Sequence, residues 1–535
     1  MTFEVGEGKQ FSNIQDALDA SRSLSGDREI AVFPGVYSIS PICLTKKDKG
    51  LKLAAYGCVL LSGGVSSKLS KSENGLFSAP ANSDVRLLAV NGSLRPRSRY
   101  PEQGFINHLQ EFRSNWLSTS QGGWDKGPTK EELEEIRLDP KAFPPDFDFS
   151  NTEICVRHRW DASLAKISVS GFLAKTAEPL ACPAGAFGVA QCAIFNSKSM
   201  PKGSWRLENG QVFVKPYDLE SLEGASVQFP ALDSLISFEP GASDISISGF
   251  SFEMCGAPLV NELFGAGGVS GAISCESGIT NCSFENLSFK NLAGWAIKLK
   301  GDNKDVKVQG CHIEGAGAGG ILLESQGSCS IQGNTIQNIG LINISAVGIM
   351  ASNCLISGNT LKDLPYSGIV ATGKSTVTSN TVNRAMQTLN DGAGVYATFG
   401  NDGLVKDNTV MFISSSSSVE QRHGLYLDEK CSGWTVEGNR VSDCDSAILC
   451  HMSEGNAIRG NWFSGKTPIS ISFPRCVGYE VTGNHFSAPE LSIECPRHAI
   501  SLWKENDLSL DKPPVWVELD DYERKPGVEF RAEKI

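Results

Sequence analysis

Residues 329–363, CSIQGNTIQNIGLINISAVGIMASNCLISGNTLKD, contain one pattern twice: a short alternating apolar strand, a Gly-Asn pair, and a second short strand. The pair recurs at Gly333-Asn334, Gly358-Asn359, Gly438-Asn439, Gly460-Asn461 and Gly483-Asn484, with Ser379-Asn380 and Asp407-Asn408 filling the gaps. Successive asparagines lie 21 to 31 residues apart. A second ladder runs in phase through Ile297, Ile321, Ile349, Ile369, Val395, Leu425, Ile448 and Ile469. Short strands with polar corners at this period predict a right-handed parallel β-helix, an all-β solenoid. One coil cannot bury its inward residues alone, so coils stack at about 4.8 Å, aliphatic on aliphatic. Asparagines at the bends stack as a hydrogen-bonded ladder, and Asn tolerates the left-handed conformation a sharp bend needs. The consensus of leucine-rich repeats is missing, and a propeller blade needs about 40 residues or more.

Outward from the repeat, four parts are expected. Residues 1–94 form an N-terminal cap and first coils, 95–235 an inserted β-rich domain, 236–490 the main β-helix, and 491–535 a C-terminal cap and tail. FSNIQDALDASRSL spaces Ile14, Ala17, Leu18 and Leu24 as a helix, which would cover the open end of the coil. In the insertion a short helix is expected at residues 130–137, and Asn209-Gly210 marks a two-residue hairpin between SWRLE and QVFVKP. The tail ends in the polar run DDYERKPGVEFRAEKI.

Composition narrows the function. Of 535 residues 48 are basic and 60 acidic, a net charge of −12, which argues against nucleic acid or an anionic membrane as partner. No apolar run reaches the roughly 18 residues of a membrane span. The start, MTFEVGEGKQF, has no apolar signal region, so a cytoplasmic protein is expected, or a secreted or periplasmic one if the start has been processed. Sixteen cysteines include no CxxC pair and sit largely in strand-like apolar runs, which reads as buried thiols rather than disulfides or zinc ligands. No cofactor or metal is expected. Monomer and homo-oligomer are both open.

A stacked sheet with a long groove suits an extended sugar chain, so the expected partner is a carbohydrate substrate. Two segments on neighbouring coils break the ladder's small or apolar pattern, LNDGAGVYATFGN (residues 389–401) and HGLYLDEKCSG (residues 423–433). Glycoside cleavage needs two carboxyl groups, and neighbouring coils can supply them from remote positions. With Val395 beside Leu425, Asp428 lies three residues after the ladder position and Asp391 four before it. On one straight strand that offset is roughly 20 Å, so pairing requires a bend after Gly392. Thr398 and His451 stand at Asp428's offset on the flanking coils; His451 and His423 are candidate sugar contacts, against a structural role for each. Tyr396 and Tyr426 are adjacent, as a sugar platform or as a plain aromatic stack. In RPRSRYP, Arg95, Arg97 and above all Arg99 either reach the groove or clamp the insertion. Trp116, Trp124 and Trp160 are candidates for a pocket rim.

Together NGSLRPRSRYPEQG (residues 91–104), the SWRLENGQVFV hairpin, DGAGVY and GLYLDE followed by TVEGN resemble glycoside hydrolase family 141 and its β-helix relatives, whose members act on α-L-fucosides or xylan. The resemblance implies that Asp391 and Asp428 are the catalytic carboxylates. It departs at Glu429, where a second Asp is common, and Glu429 remains an alternative acid. The expected activity is an exo-type glycoside hydrolase. The alternatives are a polysaccharide lyase or uronate epimerase, for which Arg422 and Lys430 are the nearest bases, and a non-catalytic carbohydrate-binding β-helix of tail-spike or adhesin type.

Overall fold

The computed structural model describes residues 1–24, 26–81, 84–261, 264–413, 422–519 and 532–534. Three long parallel sheets, of fourteen, fourteen and thirteen strands, wind together as a right-handed parallel β-helix. The inward ladder of the central sheet runs in register from Ile42 through Ile236, Ile273, Ile297, Ile321, Ile349 and Ile369 to Val395, Leu425, Ile448, Ile471 and Ile493. Every member is buried. The expected partner of Ile448 was Ile469; the structure puts Ile471 there, and Ile469 pairs with Leu491. Both isoleucines face inward because a two-residue step returns a strand to the same face.

At one bend the asparagines form the expected ladder. Asn334 donates both its backbone N–H and its Nδ2 to Asn359 Oδ1, each at 2.9 Å. The motif repeats through Asn380, Asn408, Asn439, Asn461 and Asn484, and it extends to Asn506, which the repeat pattern did not reveal. Each Nδ2 gives a second bond to a carbonyl of the coil behind, as Asn408 does to Val377 O at 2.9 Å. A buried bend that leaves strand pairing thus has its polar groups satisfied. The left-handed residue is not the ladder asparagine but the one before it: Gly333, Gly358, Ser379, Asp407, Gly438, Gly460 and Gly483 all have φ between 53° and 67°. This division of labour explains the Gly-Asn pair: glycine turns the chain without a Cβ penalty, and asparagine bonds the stack.

The N-terminal helix, Ile14–Ser21, is capped by Asn13, whose Oδ1 accepts from Asp16 N at 2.9 Å. Ile14, Ala17 and Leu18 are buried against the first coils, whereas Leu24 lies beyond the helix and is exposed. The solenoid sheets leave off at Ser62 and resume at Ile236. The strands between, from Gly64 to Pro230, pair only with one another in small antiparallel sheets that make up a lobe. Its Asn209-Gly210 turn has both φ angles positive, at 49° and 73°, as a tight hairpin demands. The helix expected at 130–137 ends at Glu134, and Glu135–Arg137 instead pairs with Leu173–Thr176. Residues 491–519, expected as cap and tail, add strands to all three solenoid sheets. Of the polar run 520–535 only Ala532–Lys534 is described, as a strand beside Val515–Leu519; the rest lies outside the described residues. All sixteen cysteines are free, fourteen of them buried, and burial pushes the Cys155 thiol up to about 12.

The ladder is a chain of shared bonds, so one truncation removes an acceptor from the coil before it. Asn408→Ala strips the acceptor from the backbone N–H and Nδ2 of Asn380. The N–H is left unpaired, while Nδ2 keeps Ile356 O; we expect a loss of about 1–3 kcal/mol, read as a lower denaturant midpoint with activity in proportion to folded protein.

Candidate active site

The lobe folds back over the central sheet and encloses a cleft of about 760 Å³. Its floor comes from three coils. Strands Ala393–Thr398 and His423–Leu427 pair in register, which sets Tyr396 beside Tyr426, and Leu427 pairs with Cys450, which sets His451 beside Asp428. His451 N also donates to Leu427 O at 2.8 Å.

Asp391 and Asp428 line this one cleft. The bend expected after Gly392 falls one residue earlier, on Asp391 itself, whose φ is +56°. Gly392 is required next to it, because a Cβ there would meet Tyr366 Cε2 and Ser367 Oγ at 2.6 Å each. Tyr366 Oη donates to the Asp391 carbonyl at 2.9 Å and holds the bend. The two neighbouring tyrosines then bridge the offset between the acids. Tyr396 Oη donates forward to Asp428 Oδ2 at 2.6 Å, and Tyr426 Oη donates back to Asp391 Oδ1 at 3.4 Å. Burial first, and then the nearby aspartates, hold both phenols well above their ordinary range, so each keeps its proton and donates. Their ring planes are tilted by 49° with centroids 4.8 Å apart, so they do not present a flat stack.

The other oxygen of Asp428 meets His451 Nδ1 at 2.8 Å, and His451 lines the cleft. Glu429 lines the cleft as well. Its carboxylate accepts from the backbone N–H groups of Thr119 and Ser120 at 3.0 and 2.7 Å, tying the lobe to the coil that carries Asp428. Both its oxygens are thus engaged by the lobe backbone, while the residue stays on the cleft wall beside Asp428.

Two expected substrate contacts lie elsewhere. His423 is buried behind Tyr426, with ring centroids 5.2 Å apart, and its Nδ1 has no partner. Burial lowers its pKa to about 4, which keeps it neutral. Arg99 sits inside the lobe, over the rings of Phe105 and Phe195, and donates to Gly104 O. Arg95 pairs with Glu220, and Arg97 with Glu153 at 2.6 Å, so the whole arginine run braces the lobe. Thr398 is likewise buried, its hydroxyl 3.4 Å from Glu429 O. The tryptophans, by contrast, do face the cleft. Trp116 packs edge-on against Trp124 at 5.0 Å and Trp160 at 5.5 Å, with Phe187 4.2 Å from Trp160.

The sequence reading missed Tyr366 and three cleft arginines, Arg113, Arg159 and Arg475. Arg159 Nε lies 3.5 Å from Asp391 Oδ2, and the Arg159 carbonyl accepts from Asn390 N at 3.0 Å. Neither Arg422 nor Lys430 lines the cleft: Arg422 donates to Asn390 Oδ1 at 3.1 Å, and Lys430 lies over the Phe399 ring. Arg159 lies at the end of ICVRHRW, a segment of the lobe with no repeat signal to single it out. Among the described residues no three His, Cys, Asp or Glu side chains are grouped to hold a metal ion.

A family model described as a right-handed beta helix region matches residues 243–382 and 351–488. No curated protein matches the sequence. A solved structure described as "Glycoside hydrolase" is 15% identical, covering 95% of this chain and 96% of that one, with a TM-score of 0.61. The complex of XylC with xylose is 11% identical over 98% and 88%, TM-score 0.48, and PfbA, a surface adhesin of Streptococcus pneumoniae, 13% identical over 96% and 90%, TM-score 0.43. The matched family model and the strand topology establish the fold class, a right-handed parallel β-helix. This chain's version of it carries a lobe folded over a cleft with paired aspartates.

Two predictions follow from the site's supports. Glu429→Gln keeps one acceptor and adds a donor facing two N–H groups, so we expect faster proteolysis within residues 111–125 and a loss of about 1–3 kcal/mol in stability. His108, His158 and His423 are buried, with pKa values lowered to about 4, 3 and 4 by desolvation. The unfolded chain, with histidines near 6.5, therefore binds more protons as the pH falls, and stability drops from about pH 6.5 towards pH 4. The denaturant midpoint should fall across that window, and less steeply in His423→Phe.

Proposed function

We propose that the protein hydrolyses a glycosidic bond, using Asp391 and Asp428 as its pair of carboxylates. The observation that carries this reading is that the two acids, remote in sequence, share one cleft and are cross-linked to its floor by Tyr396 and Tyr426. Such pairs flank the scissile bond in glycoside cleavage, one side supplying a proton and the other a nucleophile or base. The aromatic wall of Trp116, Trp124 and Trp160 suits the apolar face of a sugar ring. Closure of the groove by the lobe supports attack at a chain end over attack within a chain. The likeness in fold to a glycoside hydrolase agrees with the reading, and the sequence resemblance to family 141 directs the substrate search to fucosides and xylan-type sugars.

A screen of nitrophenyl fucosides, xylosides, arabinosides and galactosides identifies the sugar. Asp391→Asn and Asp428→Asn should each lose at least about 100-fold in rate on an alkyl glycoside of that sugar. Full activity in both variants removes the assignment.

One observation favours a second reading. Arg113, Arg159 and Arg475 converge on the cleft of an otherwise acidic chain, and a guanidinium matches the carboxylate of a uronic acid. A polysaccharide lyase or uronate epimerase would use them. Ultraviolet absorbance of an unsaturated product, formed from a uronate polymer without net uptake of water, separates a lyase from the hydrolase.

A further inference from the structure

The two aspartates are not equivalent. Asp428 is fully engaged by the protein: Oδ2 accepts from Tyr396 Oη at 2.6 Å, and Oδ1 meets His451 Nδ1 at 2.8 Å. A carboxylate bound at both oxygens by short, charge-assisted contacts has little left to offer a sugar. Asp391 has only longer contacts, 3.4 Å to Tyr426 Oη and 3.5 Å to Arg159 Nε, and its side chain is a quarter exposed. His451, also a quarter exposed, lines the same cleft. Because Nδ1 faces Asp428, a carboxylate that only accepts, Nδ1 carries a hydrogen and Nε2 is the ring atom left to hold or release a second proton.

We infer that His451 is the catalytic proton donor, that Asp428 is a positioning residue acting through it, and that Asp391 is the carboxylate facing the anomeric carbon. This rests on the glycosidase reading above and divides its chemistry differently from a pair of equivalent acids. As the bond from the anomeric carbon to the departing oxygen breaks, its electron pair goes to that oxygen, which takes the proton from His451 Nε2. In a single displacement water bonds the anomeric carbon and gives a proton to Asp391, and the imidazole regains one through solvent. In a double displacement Asp391 bonds the carbon first; the incoming water then gives a proton to the bare Nε2 as its oxygen bonds the carbon, and the Asp391–carbon bond breaks with its electron pair returning to the carboxylate. Protons balance on either route. Tyr396 completes the support by keeping Asp428 from rotating away from the imidazole.

Leaving-group dependence tests the assignment. Two glycosides of the sugar found in the screen are compared, one with a dinitrophenol leaving group, which departs without protonation, and one with a simple alcohol. His451→Gln and Asp428→Asn should each lose about 100-fold or more in kcat/KM on the alkyl glycoside and less than about 10-fold on the dinitrophenyl glycoside, while Asp391→Asn loses on both. The dinitrophenyl substrate also reports that each variant is folded. Added imidazole should restore alkyl cleavage in His451→Gly. Equal losses on both substrates in Asp428→Asn or His451→Gln would overturn the proton-donor role while leaving the glycosidase reading intact. A wild-type protein that cleaves neither glycoside removes that reading and this inference together.

Discussion

In-register stacking of parallel coils is the constraint on which everything else rests. Each coil must offer the next a strand edge about 4.8 Å away and an apolar residue at the same place, or the core opens. The bends are where stacking would fail, because there the backbone leaves the sheets while still buried. The asparagine ladder from Asn334 to Asn506 meets that need: each side chain closes the N–H of the coil before it. Irregular coil lengths are tolerated as long as this corner and the isoleucine ladder stay aligned, so insertions go to other corners.

The candidate site inherits its accuracy from the same stacking. Tyr396 lies against Tyr426, and Asp428 beside His451, because strands Ala393–Thr398, His423–Leu427 and Ser446–Cys450 cannot slip without turning buried residues outward. Asp391 is held differently, by a left-handed bend with Tyr366 on its carbonyl and a glycine that leaves room for the ring. A rigid sheet therefore supports one side of the site and a strained turn the other.

A solenoid face alone is shallow. The lobe, which leaves the solenoid after Ser62, covers the face and brings in Trp116, Trp124, Trp160, Arg113 and Arg159 beside the tyrosines and Arg475 of the coils. Glu429 is the link: beside Asp428 on the cleft wall, it fastens the Thr119–Ser120 backbone and so fixes the lobe wall relative to the acids.

The local pattern alone determined a good deal. Gly-Asn pairs and an aliphatic residue every coil define a stacked parallel β-helix, since few other folds bury such a sequence. The break in that pattern at DGAGVY and GLYLDE singled out Asp391, Tyr396, Tyr426 and Asp428, four residues that the structure brings to one cleft. Register at the last coils was harder, for Ile469 and Ile471 satisfy the pattern equally. Tertiary structure alone decided what the lobe contributes. The arginines of RPRSRYP turn out to brace the lobe, His423 stays neutral behind a tyrosine, and Arg159 reaches Asp391 from a segment with no repeat to mark it. The reason is physical: stacking makes neighbours of residues at a regular spacing, whereas a lobe packing back onto a solenoid brings together segments whose separation in the chain follows no period.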